Sequence, residues 1–319
     1  MKRKMVITHN IADQELSQLR EVIPEWEIIS GRKPEIWKNH LKDAEIIAGW
    51  KKGIEADIVA EDAKLRWLQS WSAGVNAMPL DVMQKKNILL TSASGVHAFP
   101  ISETIFALIL GLTRKIHTYV KQQQAKTWHH AQLKLEIHQK TIGIIGVGAI
   151  GKETAKIAKA FGMNVLGVRN SGKQEENVNE MYTSDQLDVV LPQCDYVVMT
   201  LPLTKATRNL FAASQFQLMK PSAFFINIGR GEIVHEQDLI AALENGAIAG
   251  AGLDVFATEP LPEDSPLWEM ENVIITPHTA GSTEHYDKRV VDDILIPNLR
   301  DYLSGKKPSV NLVDYAKGY

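Results

Sequence analysis

Three short polar motifs follow one another in the second half of the chain. They are Asn227-Ile228-Gly229-Arg230-Gly231, Leu253-Asp254-Val255-Phe256-Ala257-Thr258-Glu259-Pro260 and Thr276-Pro277-His278-Thr279-Ala280-Gly281. Each follows or closes an apolar run that reads as a buried strand. In an open α/β sheet, ligands bind at the C-terminal edge of the strands. The residue types suit carbonyl reduction. Hydride addition to a ketone leaves negative charge on oxygen, so a proton donor must stand beside it, and histidine titrates near neutrality. His278 is the candidate donor. A carboxylate near it would favour its charged form and fix its tautomer; Glu259 is the candidate. A guanidinium is a planar fork that matches a carboxylate and polarises a neighbouring carbonyl; Arg230 is the candidate. Singly, each has a structural alternative: an ion pair for Arg230, a loop charge before proline for Glu259, a satisfied loop histidine for His278. Their succession at strand ends points to chemistry.

A second motif supplies the context. Thr141-Ile142-Gly143-Ile144-Ile145 runs into Gly146-Val147-Gly148-Ala149-Ile150-Gly151, and a helical pattern follows. Strand, G-x-G-x-x-G, helix is the dinucleotide-binding arrangement. Gly146 permits the tight turn, Gly148 lets backbone approach a pyrophosphate, and Gly151 lets helix and strand pack closely. The helix N-terminus then offers free N–H groups to the phosphates. The next strand, Asn164–Val168, decides which dinucleotide. NAD sites usually end it with Asp or Glu about 20 residues past the glycines. Here it ends in Arg169-Asn170-Ser171-Gly172-Lys173, with Arg169 standing 18 residues after Gly151. A cation there removes the carboxylate and can pair with a 2′-phosphate, aided by the Asn170 and Ser171 side chains. The expected cofactor is NADP(H), with NAD as the weaker alternative.

These residues need a scaffold of strands and helices. Strand candidates are Met5–Thr8, Ile46–Ala48, Trp67–Ser70 and Ile88–Thr91, then Thr141–Ile145, Asn164–Val168, Tyr196–Thr200, Ala223–Ile228, Ala251–Val255 and Val273–Thr276. Near-continuous apolar runs suit a parallel sheet covered on both faces. Alternation with helices such as Asp13–Val22 implies right-handed crossovers. The fold class is α/β, with two doubly wound parallel-sheet domains: a Rossmann-type cofactor domain (99–284) inserted into a flavodoxin-like substrate domain (1–98 plus 285–319). Pro100–Gln124 carries Ile101, Ile105, Leu108, Ile109 and Leu112 at helical spacing. It reads as a core helix or a dimer contact.

Composition bounds the rest. Lys plus Arg (35) against Asp plus Glu (38) leaves a net charge of -3, so no global field points to nucleic acid or an anionic membrane. The lone Cys194 excludes a disulfide within the chain and fits a reducing compartment. The basic N-terminus lacks an apolar core and a cleavage site. The densest apolar run, Ile105 to Leu112, is far short of the ~20 residues of a membrane span. The expected location is the cytoplasm.

From about Leu135 to Thr283, and more loosely elsewhere, the chain resembles the D-isomer-specific 2-hydroxyacid dehydrogenase family. The likeness rests on Gly146–Gly151, Leu201-Pro202-Leu203-Thr204 with Thr207, Ile226–Gly231, Gly250–Pro260 and Pro277–Gly281. It implies an Arg–Glu–His active site on Arg230, Glu259 and His278. It also implies cofactor contacts from Ala149, Ile150, Leu201, Pro202, Thr207, Ile228, Asp254 and Gly281. Ser72-Ala73-Gly74-Val75-Asn76 resembles the loop whose N–H groups hold the substrate carboxylate, through Ala73, Gly74 and Val75. The family is typically dimeric, which favours a homodimer through the cofactor domain. Two departures stand out: Arg169 replaces the usual acidic residue, and Ser94–Ile101 carries His97, Phe99 and Pro100 where small or polar residues are common. Trp50 and Trp71 are candidate pocket walls, though tryptophan is more often core.

The resulting expectation is NADP(H)-dependent interconversion of a small 2-keto acid and a D-2-hydroxy acid. Glyoxylate or hydroxypyruvate reduction is one substrate choice within it. Formate dehydrogenase is disfavoured because that branch carries Gln where Glu259 stands. The alternative from another class is a nucleotide-sensing, corepressor-like binding protein.

Overall fold

A computed structural model of the chain describes residues 2–75, 77–130 and 133–316. Asn76, the last residue of the expected carboxylate loop, lies outside the described residues. The chain divides into two compact units, Met1–Val96 with Thr283–Tyr319, and His97–Ser282. The borders fall two residues before those read from the sequence.

The first unit is built on a five-stranded parallel sheet in the order β2-β1-β3-β4-β5. Its strands are β1 (Lys4–Ile7), β2 (Glu27–Ser30), β3 (Ile46–Ala48), β4 (Trp67–Gln69) and β5 (Leu89–Thr91). This is the flavodoxin-like order, with its switch point between β1 and β3. Met5, Val6, Ile46, Ile47, Trp67 and Leu68 are fully buried, as strands covered on both faces require. The C-terminal tail returns to this unit. Asn298 exchanges hydrogen bonds with Val310, and the Val313 N–H donates to the Leu90 carbonyl at 2.8 Å.

The second unit carries a seven-stranded parallel sheet in the order β12-β11-β10-β9-β6-β7-β8. The strands are β6 (Thr141–Ile145), β7 (Asn164–Val168), β8 (Glu180–Tyr182), β9 (Tyr196–Met199), β10 (Phe224–Asn227), β11 (Gly250–Leu253) and β12 (Val273–Ile275). Counted from β6, this is the dinucleotide-binding strand order with one strand added, and the order reverses between β6 and β9. The helix Ala149–Ala160 buries Gly151, Thr154, Ala155 and Ala158, one face of its 3.6-residue period.

Two elements depart from the sequence reading. The expected helix over Pro100–Gln124 is two helices, Ala98–Thr113 and Ile116–Gln124. They are broken where Lys115 takes a left-handed conformation with φ 52°. The tail, expected to be helical over Asp287–Leu303, is interrupted by a π-helical stretch, Val290–Leu295, ahead of Pro297 in the first turn of Ile296–Leu303. The fixed φ and missing N–H of proline suit a helix start. Edge strands β2 and β8 were absent from the strand candidates.

Candidate active site

Strands β10, β11 and β12 are sheet neighbours, and their register pairs Asn227 with Leu253 and Leu253 with Ile275. The loops bearing Arg230, Glu259 and His278 therefore leave one edge of the sheet side by side. Two buried polar side chains shape those loops. Asn227, 2% exposed, folds the β10 loop back: its amide oxygen accepts from Gly229 N–H at 3.1 Å and its NH₂ donates to the Arg230 carbonyl at 3.2 Å. The Arg230 guanidinium is exposed and donates to the Gly229 carbonyl at 2.7 Å. It makes no ion pair among the described residues. Gly231 then presses on the β11 loop. A Cβ built there would lie 1.9 Å from the Phe256 carbonyl carbon, so only glycine allows that approach.

His278 Nδ1 and Glu259 Oε2 are 2.7 Å apart. The other Glu259 oxygen accepts from the Phe256 N–H at 3.0 Å. Since Nδ1 faces a carboxylate, it carries the proton, and Nε2 is left as the nitrogen open to another partner. Burial disfavours the ionised form of Glu259. The hydrogen bonds from His278 and Phe256 and the charges of His278 and Arg230 outweigh it, and the carboxyl is held below its ordinary value of 4.5. His278 itself sits at φ 52°, a strained setting for a non-glycine residue that often marks a functional position.

The strain is supported by Asp254, 2% exposed at the end of β11. Its carboxylate accepts from Thr276 Oγ1 at 2.6 Å, from Thr279 N–H at 2.9 Å and from Ala280 N–H at 3.1 and 3.2 Å. The Asp254 carbonyl accepts from His278 N–H at 2.9 Å. Asp254 thus fixes the loop that carries the imidazole.

The glycine loop leaves β6 at the sheet's switch point. Gly146 has φ 113°, and a Cβ on it would meet Leu201 N at 2.9 Å. A Cβ on Gly151 would meet the Gly146 carbonyl at 2.7 Å, whereas Gly148 faces open space. Loop turn, ligand approach and helix packing are thereby divided among the three glycines. No side chain caps the helix Ala149–Ala160, so its first N–H groups stay available for phosphate oxygens. Ala149 is exposed and Ile150 half-buried beside them. Thr200 Oγ1 donates to the Gly146 carbonyl at 2.6 Å, and Thr207 Oγ1 to the Pro202 carbonyl at 2.7 Å. These bonds tie the Leu201–Thr207 loop to the glycine turn. Thr200 and Asn227 lay outside the sequence-derived candidates. Each is a polar residue closing an apolar strand, which is the signal that could have marked them.

Residues 106–280 match the family model for the NAD binding domain of D-isomer specific 2-hydroxyacid dehydrogenases. The chain is 34% identical over 314 residues to a glyoxylate/hydroxypyruvate reductase B from Shigella boydii, covering 96% of each. The chain belongs to the D-isomer specific 2-hydroxyacid dehydrogenase family. A solved member from Aeromonas salmonicida superposes with a TM-score of 0.84 at 32% identity, over 99% of this chain and all (100%) of that one. An NADPH-dependent glyoxylate/hydroxypyruvate reductase from Sinorhizobium meliloti, in complex with NADP and sulfate, gives 0.80 at 28% identity, with each chain covered fully (100%).

The remaining candidates of this 2-hydroxyacid dehydrogenase fall as follows. Ile228 is buried in the second unit's core, and the Gly281 carbonyl accepts from His97 Nδ1 at 2.8 Å. Asn170 and Ser171 are exposed beyond β7. Arg169 is not free: its guanidinium pairs with Glu175 at 3.1 Å and donates to the Lys173 carbonyl. Glu175 also pairs with Lys152, in the first turns of the glycine-loop helix, at 2.9 Å. These hydrogen bonds and charges, Lys152 first, hold the Glu175 carboxyl below its usual range, although burial raises it. An anion thus already sits between the two cations at the end of β7. In the first unit, no hydrogen bond is seen among the described residues for the N–H groups of Ala73, Gly74 and Val75. Ser70 Oγ and Ser72 Oγ brace that loop through the Ser72 and Gly74 carbonyls at 2.9 and 2.7 Å. Trp50 is half-buried against the first unit's core.

Proposed function

We propose that this member of the family reduces small 2-keto acids to D-2-hydroxy acids with NADPH, through Arg230, Glu259 and His278. The observation that carries the reading is the 2.7 Å contact between His278 and Glu259, beside an unpaired guanidinium at the same sheet edge. The dinucleotide, when bound at the glycine loop, supplies a hydride to C2 of the keto acid. His278 Nε2 gives its proton to the oxygen that becomes the hydroxyl. Glu259 holds the imidazole in its tautomer and orientation. Arg230 orients the substrate carboxylate and polarises the carbonyl. In the first unit, the N–H groups of Ala73, Gly74 and Val75 are our choice of donors to a substrate carboxylate.

Arg169 is our choice for the 2′-phosphate contact. A phosphate there would take over from Glu175 as partner of Arg169, with Asn170 and Ser171 adding hydrogen bonds. Exposed Ile116 (52%), Val120 (48%) and Trp128 (95%) in the second unit favour a homodimer through that unit. No helix among the described residues is long and apolar enough to cross a membrane; with the single Cys194, this supports a cytoplasmic location. Steady-state rates with a panel of 2-keto acids, each run with NADPH and with NADH, test the proposal. The expected result is turnover with at least one keto acid and a higher kcat/KM for NADPH. Equal or better efficiency with NADH would overturn the cofactor choice. Tight nucleotide binding without turnover would favour a binding role instead.

A further inference from the structure

The C-terminal edge of the first unit's sheet carries cations that the proposed reaction does not use. His9, after β1, stacks on Trp71 with ring centroids 4.9 Å apart and planes inclined by 13°. Its Nε2 accepts from Lys51 Nζ at 3.0 Å, so the lysine is held in place by a ring and not by a carboxylate. Burial, then the charges of Lys51 and Arg32, push His9 down to about 4, leaving the ring neutral. Arg32 is brought in by a hydrogen bond from its own N–H to Asn10 Oδ1 at 2.8 Å. Neither Lys51 nor Arg32 makes an ion pair among the described residues. The carboxylate that acts on both His9 and Lys51 is Asp287, and its Oδ1 is taken by Trp71 Nε1–H at 2.7 Å. Two cations against one engaged carboxylate leave the cluster one positive charge in excess.

The loops involved follow β1, β2, β3 and β4, and β1 and β3 flank the sheet's switch point. The loop after β4 also carries the N–H groups of Ala73, Gly74 and Val75, which make no hydrogen bond among the described residues. Adjacent strands lie about 4.8 Å apart, which is about the separation of the two carboxylates in a short aliphatic diacid. We infer that Lys51 and Arg32 form a second anion subsite, and that the preferred substrates are four- to five-carbon 2-keto dicarboxylic acids. One carboxylate takes the N–H groups of the β4 loop; the other takes Lys51, with Arg32 behind it. A single excess charge matches a carboxylate better than a dianionic phosphoryl group. The inference rests on the 2-keto acid reductase reading above.

The test compares chain-matched pairs with the whole enzyme and NADPH: 2-ketosuccinate against 2-ketobutyrate, and 2-ketoglutarate against 2-ketovalerate. We expect kcat/KM to favour the diacid by about 10–100-fold, the range for one charged hydrogen bond. In Lys51→Met this ratio should collapse toward one, mainly through KM for the diacid, and in Lys51→Arg it should be largely kept. A wild-type preference for the uncharged chains would overturn the inference, and so would an equal loss on both members of a pair in Lys51→Met. Failure to reduce any keto acid would instead overturn the reading beneath it.

Discussion

The proposed chemistry narrows to a histidine whose orientation is set by one carboxylate and whose backbone is set by another. Glu259 grips Nδ1, and Asp254 holds the loop on either side. The depressed Glu259 carboxyl gives a signed expectation. Its folded value lies below 4.5, so protonation, and the loss of whatever stability its ionised form contributes, comes only as pH falls through that lower value. The kcat/KM profile should therefore show no acid limb attributable to Glu259 with its midpoint at or above pH 4.5, the ordinary value. A profile of Glu259→Gln beside the wild type checks this. An acid limb near neutrality that disappears in the variant would show the carboxyl raised, not lowered.

At the scale of elements, placement depends on how closely the strand-end loops approach. The Gly231 contact with the Phe256 backbone lets the β10 and β11 loops touch, and so brings Arg230 within charge range of Glu259. Gly231→Ala forces those backbones apart. It should cost about 1–3 kcal/mol, read as a lowered Tm, together with a reduced kcat. An unchanged Tm and kcat would mean the loops adjust freely. Among the described residues, ten of the twelve strands were legible in the sequence because buried parallel strands read as apolar runs. The edge strands β2 and β8 were not, since Glu27 and Glu180 are exposed and the residues after them only half-buried. The break at Lys115 was hidden because no proline or glycine stands between Leu112 and Ile116, where the two stretches join.

At the scale of the whole molecule, the three proposed catalytic residues and the glycine loop were marked in the sequence by order and residue type alone. Arg230, Glu259 and His278 each stand just past a strand, and the sheet makes those strands neighbours. The supporting bonds of Asn227 and Thr200 were not legible, because a polar residue at a strand end does not announce its partner. Nor was the pairing of Arg169 with Glu175, which needs the loop after β7 to fold back. The cations around His9 were equally hidden, since they come from loops far apart in the chain.

In the proposed reaction everything turns on His278 passing the proton. The most direct measurement is the turnover of His278→Ala with its best 2-keto acid, alongside NADPH affinity measured by fluorescence. The predicted result is a fall in kcat of about 10²–10⁴-fold with the NADPH Kd essentially unchanged. Turnover close to wild type in that variant would contradict it.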